Sequence, residues 1–104
     1  MASSTGYEYD NTGAFIRKDP ASVLDYTINF TNWLASGDTI TGTPTWTADT
    51  GITKGTETNT TTAATLFLSG GTAGDIYESK CVAVTGNGRT VARRYRVKCE
   101  ELHL

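Results

Sequence analysis

Two stretches of this chain, residues 23–31 and 39–48, read in steps of two. Leu24, Tyr26, Ile28 and Phe30 alternate with Asp25, Thr27 and Asn29. Ile40, Trp46 and Ala48 alternate with Thr39, Thr41, Thr43, Thr45 and Thr47. Successive side chains of a strand point to opposite faces, so each stretch has one apolar and one polar face. That pattern belongs to antiparallel sheets with one side on a core and the other in water. Threonine reinforces it: twenty residues of the 104 are Thr, stiff at χ1 and suited to a pleated, half-exposed surface. The expected class is all-β.

A chain of 104 residues is one domain, large enough to bury roughly two-thirds of its unfolded surface in a single core. Strands are predicted at 15–18, 23–31, 39–48, 52–58, 64–68, 76–85 and 89–99. They are separated by Gly, Pro, Asp and Asn turns, which predicts an antiparallel β-sandwich of about seven strands. Residues 1–14 have no period and are polar and Gly/Ser/Thr-rich. They are read as an extended N-terminal arm, with the sandwich at 15–104 and the arm lying on a different chain through Tyr7 and Tyr9.

The strongest hairpin joins 76–85 to 89–99. Gly86, Asn87 and Gly88 form a three-residue loop between Thr85 and Arg89, where glycine supplies positive φ. If 85 faces 89, Cys81 faces Arg93 and Cys99 faces Asp75. The two cysteines then lie about 20 Å apart at ~3.3 Å per residue, and a disulfide needs Cα atoms within about 7 Å. Two free thiols are expected, in keeping with synthesis in a reducing cytoplasm. On the last strand Val91, Tyr95, Val97 and Cys99 share the inward face, and Arg94, Arg96 and Lys98 the outward one. Arg93 breaks the inward set and marks either a bulge or a rim.

The net charge of -2 conceals an asymmetry. Residues 1–79 hold nine acidic and three basic side chains, and residues 80–98 hold six basic and no acidic ones. The basic stripe is either a solvated strand face or a docking stripe for an acidic partner. A pI near 5.2 argues against a general polyanion binder, and no nucleic-acid partner is expected. The N-terminal residues lack the apolar run of a signal peptide, and no apolar run approaches the roughly 20 residues needed to span a bilayer. No membrane partner is expected. The sequons at Asn29 and Asn59 carry little meaning in a Thr-rich chain.

Catalytic chemistry has little to work with. The single histidine, His103, sits at the end of the chain, a poor place for a general base. There is no CxxC, no Ser/His/Asp set and no phosphate-holding Gly-Lys-Ser/Thr at the Gly-rich stretch 70–75. Asp10, Asp38, Asp49 and Asp75 stand singly in separate turns and are read as turn formers. No metal, cofactor or catalytic residue is expected. Trp46 is read as core, Trp33 as a plug at one end of the sandwich, and Tyr77 as a corner tyrosine tying down a loop. Phe67, opposite in facing to Leu66 and Leu68, is an exposed contact candidate.

One ordered set of residues runs through most of the chain: Lys18-Asp19-Pro20, Leu24-Asp25-Tyr26, Trp33-Leu34, Gly37-Asp38-Thr39-Ile40, Trp46, Gly51-Ile52, Gly70-Gly71-Thr72-Ala73-Gly74, Tyr77 and Gly88-Arg89-Thr90. It resembles a family of small tailed-bacteriophage virion proteins, the immunoglobulin-like fibre–tail adaptors. The resemblance implies an immunoglobulin-like sandwich, a place in the virion and no catalytic activity. It also implies several copies bound by symmetry to other virion proteins: tail, fibre or connector subunits. Two alternatives stand beside the adaptor: a capsid decoration or head-fibre protein, and a fibronectin-like carbohydrate-binding module using Trp33 with Phe67. The interface candidates are Tyr7, Tyr9, Phe67, Arg94, Arg96 and Lys98.

Overall fold

A computed structural model describes residues 7–102 of the chain. They form eight strands in two sheets: β1 (Glu8–Asp10), β2 (Gly13–Lys18), β3 (Leu24–Asn29), β4 (Ile40–Ala48), β5 (Ile52–Asn59), β6 (Ala63–Gly70), β7 (Ile76–Thr85) and β8 (Thr90–Cys99). One sheet has the order β1-β2-β8-β7-β4, the other β3-β6-β5. A 3-10 turn at Thr31–Trp33 follows β3. The two sheets pack face to face as a sandwich, as the alternating pattern predicts.

The core lies between them and is made of the apolar phase of each strand. Tyr26, Ile28 and Phe30 meet Ala64, Leu66 and Leu68 on one side, and Ile40, Trp46, Cys81, Ala83, Tyr95, Val97 and Cys99 come from the other. Burying a side chain of this size stabilises by roughly 1.5–3 kcal/mol, which fixes register strongly, because a one-residue slip would turn every such side chain outward. Trp46 is buried, as its strand parity predicts.

The β7–β8 register is the predicted one. Cys81 pairs with Arg93, and the Cys99 N–H donates to the Asp75 carbonyl at 3.0 Å. Both thiols are buried and free. Arg93 stands in an unbroken ladder from Ile76 to Lys98, so of the two readings it marks a rim, not a bulge. The irregularities fall elsewhere, between Thr41 and Thr45 of β4 and between Lys54 and Glu57 of β5. Tyr77 holds its corner: its hydroxyl accepts the Thr72 N–H at 3.0 Å.

The structure differs from the sequence expectation at the start of the chain. Residues 1–6 of the expected arm lie outside the described residues. Residues 8–10 are a strand, paired antiparallel with β2 and forming one edge of the larger sheet. β2 in turn pairs parallel with β8, Phe15 to Arg96 through Lys18 to Cys99. Parallel neighbours need a long crossover; here nearly the whole domain is the crossover, which a reading of adjacent strands does not reach. At the opposite edge, β5 side chains cover the outer carbonyls of β4. Lys54 Nζ donates to the Trp46 carbonyl at 2.8 Å, and Asn59 Nδ2 to that of Gly42 at 3.4 Å. Covering an edge in this way blunts unwanted strand pairing.

Candidate functional site

The hairpin of β1 and β2 is held to the last strand by one carboxylate. Asp10 Oδ1 accepts the Thr12 N–H at 2.8 Å, which shapes the turn. The same carboxylate receives Arg96 through Oδ1 and Lys98 Nζ at 3.3 Å through Oδ2. Arg96 also donates to the Gly13 carbonyl at 3.1 Å. Lys98 Nζ stands 3.9 Å from the centre of the Phe15 ring, a cation–π contact. The Arg96 guanidinium beside Asp10 holds its carboxyl well below the usual carboxylate range, with the Thr12 N–H and Lys98 acting in the same direction. Two members of the predicted basic stripe are thus engaged within their own chain. Arg94, the third, is exposed and loosely paired with Glu78 at 3.8 Å.

Tyr7 and Tyr9 take different environments. Tyr7 packs edge-on against Tyr95 with ring centres 5.3 Å apart, and Tyr95 touches Tyr26 and Trp46 at 5.8 and 6.4 Å. Tyr7 therefore serves the chain's own aromatic cluster. Its hydroxyl is buried without a hydrogen-bond partner. Burial raises its pKa far above the ordinary tyrosine value, with the neighbouring Tyr95 adding to the effect. Tyr9 is 75% exposed, free on the outside of the hairpin.

Between this hairpin, the end of β3 and the middle of β8 lies a groove of about 620 Å³, lined by Tyr7, Tyr9, Thr27, Trp33, Arg93 and Arg94 among others. Trp33 is 44% exposed. One face of its indole carries the Arg93 guanidinium at 4.2 Å, and Phe30 meets it edge-on at 6.1 Å. Phe67, 36% exposed, sits on the outer face of the smaller sheet beside Gly55 and does not line this groove. Trp33 lines the groove and Phe67 does not. Of the six interface candidates, Tyr7, Tyr9 and Arg94 meet at the groove. Arg96 and Lys98 lie beside it under Asp10, and Phe67 stands alone.

Sequence reasoning missed two features. Lys18 is fully buried, its Nζ donating to the carbonyls of Asp19 at 2.9 Å and Gly70 at 2.7 Å. It ties the end of β2 to the end of β6, and burial lowers its pKa. The Trp33–Arg93 stack was also missed; the break in facing at Arg93 was its signal. The thiols are inert by environment. Burial pushes Cys81 up to about 12, with Glu57 adding to it, and burial raises Cys99 as well; such buried thiols do not act as nucleophiles. Among the described residues no three His, Cys, Asp or Glu side chains converge on a metal-sized site, and no helix is long and apolar enough to cross a membrane. His103 lies outside the described residues.

What remains is an accessible aromatic and cationic groove on the sandwich. A family model for the podophage GP4 fiber-tail adaptor protein gp77 matches residues 18–98. The chain belongs to that family. A comparison with curated proteins finds no match. Membership makes the chain a structural protein of the phage virion, of the adaptor kind. The match spans β3 to β8 and the groove walls made by Thr27, Trp33, Arg93 and Arg94. The Tyr7 and Tyr9 wall precedes it.

Proposed function

We propose that this adaptor joins tail and fibres through protein–protein contacts alone, in several copies set by the symmetry of the tail. The family match over residues 18–98 carries this reading. The sandwich supports it by offering more than one surface to partners: the groove with Tyr9, Trp33 and Arg94, and the outer face of β6 with Phe67. The strand order β2-β8-β7-β4 against β3-β6-β5 supports an immunoglobulin-like connectivity. The protein works without cofactor, nucleic acid or membrane, is made in the host cytoplasm and acts in the virion. Specific stable interfaces bury about 1,200–2,000 Å², more than one groove of this size provides, so more than one face must be used. Mass spectrometry of purified virions, with copy number measured against the portal, tests it. A small whole-number ratio to the tail symmetry is expected. Absence from particles, or a copy number scaling with the capsid, would overturn the tail–fibre reading.

A further inference from the structure

The last strand has neighbours of unequal length on its two sides. It pairs with β7 from Thr90 to Lys98, but with β2 only from Arg96 to Cys99. The phase of the ladder tells which backbone groups this leaves idle. Cys99 N–H donates to Asp75 O, and Thr85 N–H donates to Arg89 O. Hydrogen-bonded and non-bonded pairs alternate along an antiparallel ladder. Val91, Arg93 and Tyr95 therefore exchange bonds with β7, and Thr90, Ala92, Arg94, Arg96 and Lys98 direct their N–H and C=O groups to the other side. There Arg96 and Lys98 meet β2. Thr90, Ala92 and Arg94 have no strand beside them among the described residues. The Ala92 carbonyl is instead covered by the guanidinium of its neighbour, Arg93 Nη1 at 2.7 Å.

This vacant edge meets the groove at Arg94, and β3, whose one strand neighbour among the described residues is β6, lies on the far side with Thr27, Ile28 and Asn29 in the wall. The lining holds two arginines and no carboxylate. Arg93 has no carboxylate partner among the described residues. Tyr7 presents a buried hydroxyl without a partner, and Tyr9 and Trp33 add exposed aromatic surface. We infer that the edge of β8 at Thr90, Ala92 and Arg94 receives an extended segment of a tail or fibre subunit as an added strand. That segment carries a carboxylate for Arg93 and Arg94 and an apolar side chain for Trp33 and Tyr9. In strand addition the main chain supplies affinity and alternate side chains supply specificity. The inference rests on the adaptor reading and gives it a binding mode and a partner chemistry.

Amide exchange tests it, measured on the isolated chain and on the chain in purified phage particles. In the isolated chain Ala92 and Arg94 exchange fast while Val91, Arg93 and Tyr95, bonded to β7, stay slow as internal controls. In particles, Ala92 and Arg94 slow by at least about tenfold. Fast exchange at both in particles overturns the slot while leaving the adaptor reading intact, and absence of the chain from particles overturns the adaptor reading itself. Slow exchange in the dilute isolated chain means the chain's own residues fill the slot. Slowing only as the isolated chain is concentrated means a second copy does. Either result refutes the proposal. Ala92→Pro removes an outward N–H without touching a bond to β7, as edge positions tolerate; it should melt like wild type and lose incorporation into particles. Should it fail to fold, Arg93→Glu serves in its place, and wild-type incorporation of the folded variant refutes the carboxylate partner.

Discussion

Raising the pH should unfold this protein earlier than its surface charge suggests, and Cys81 is one of the buried groups responsible. Its thiol is buried in the core between the sheets, where burial pushes it from 9.0 up to about 12. A raised folded-state value means that its contribution is complete below pH 9, where both states hold the proton. It is lost as the pH climbs toward 12, because the unfolded chain ionises first. At pH 10 the difference is on the order of 1 kcal/mol, and it grows to several kcal/mol by pH 12, since each tenfold difference in proton affinity between the two states is worth ~1.4 kcal/mol. Cys99, Tyr7, Tyr26 and Tyr95 are also raised by burial and act in the same sense. Lys18, lowered by burial, opposes them. Cys81→Ser isolates the one residue. The hydroxyl costs about 1–3 kcal/mol at every pH, but it does not titrate. Chemical denaturation at pH 7 and pH 10 should therefore show a loss of stability smaller in the variant than in wild type by on the order of 1 kcal/mol. The folded wild type should also react with a thiol reagent at pH 8 roughly 1,000-fold more slowly than the unfolded chain, from thiolate fraction alone. An equal pH loss in both proteins, or fast labelling of Cys81 without unfolding, would refute the burial argument.

Two further outcomes are expected. Gly71 has φ +96, and a Cβ there would run into the Cys99 sulfur; Gly71→Ala should destabilise by about 1–3 kcal/mol in chemical denaturation, and a neutral result would mean the Gly70-Gly71 turn is set otherwise. Asp10→Ala should leave the melting midpoint nearly unchanged and speed amide exchange in β1 and at Gly13–Phe15. It removes the carboxylate that draws Arg96 and Lys98 to the hairpin, so unchanged exchange would show that the pairing of β1 with β2 holds the hairpin alone.

Much of the sandwich was legible because its determinants are local. The turn at Gly86, Asn87 and Gly88 fixes one opposed pair, and the alternation of Tyr95 and Val97 with Arg94 and Arg96 fixes the facing. The phase of Leu66 and Leu68 likewise sets Phe67 outward, and the position of Tyr77 at the head of its strand leads to its corner bond with Thr72. The start of the chain was not legible. Glu8, Tyr9 and Asp10 have no apolar period; what makes them a strand is a carboxylate answering Arg96 and Lys98 some 86 and 88 positions away. Lys18 was hidden for the opposite reason. A lysine reads as surface, and only the arrival of the Gly70 carbonyl gives its ammonium a reason to be buried.

The same logic explains why the groove escaped the sequence while the strand that borders it did not. Pairing of β8 with β7 follows from a three-residue turn, so its length can be read directly. Pairing of β8 with β2 is decided by where the chain reverses between Asp10 and Gly13, a turn held by Asp10 and by the Arg96 bond to the Gly13 carbonyl. Had the first hairpin turned earlier in the sequence, β2 would have begun beside Ala92 and Arg94 and closed the edge. Because it turns at this point, the outward groups of the first half of β8 are left to Arg93 and to whatever strand the virion supplies. The arginine stacked on Trp33 is then a temporary cover for the Ala92 carbonyl. A partner strand that takes up this carbonyl releases the guanidinium for the partner's carboxylate, so edge pairing and charge recognition strengthen together.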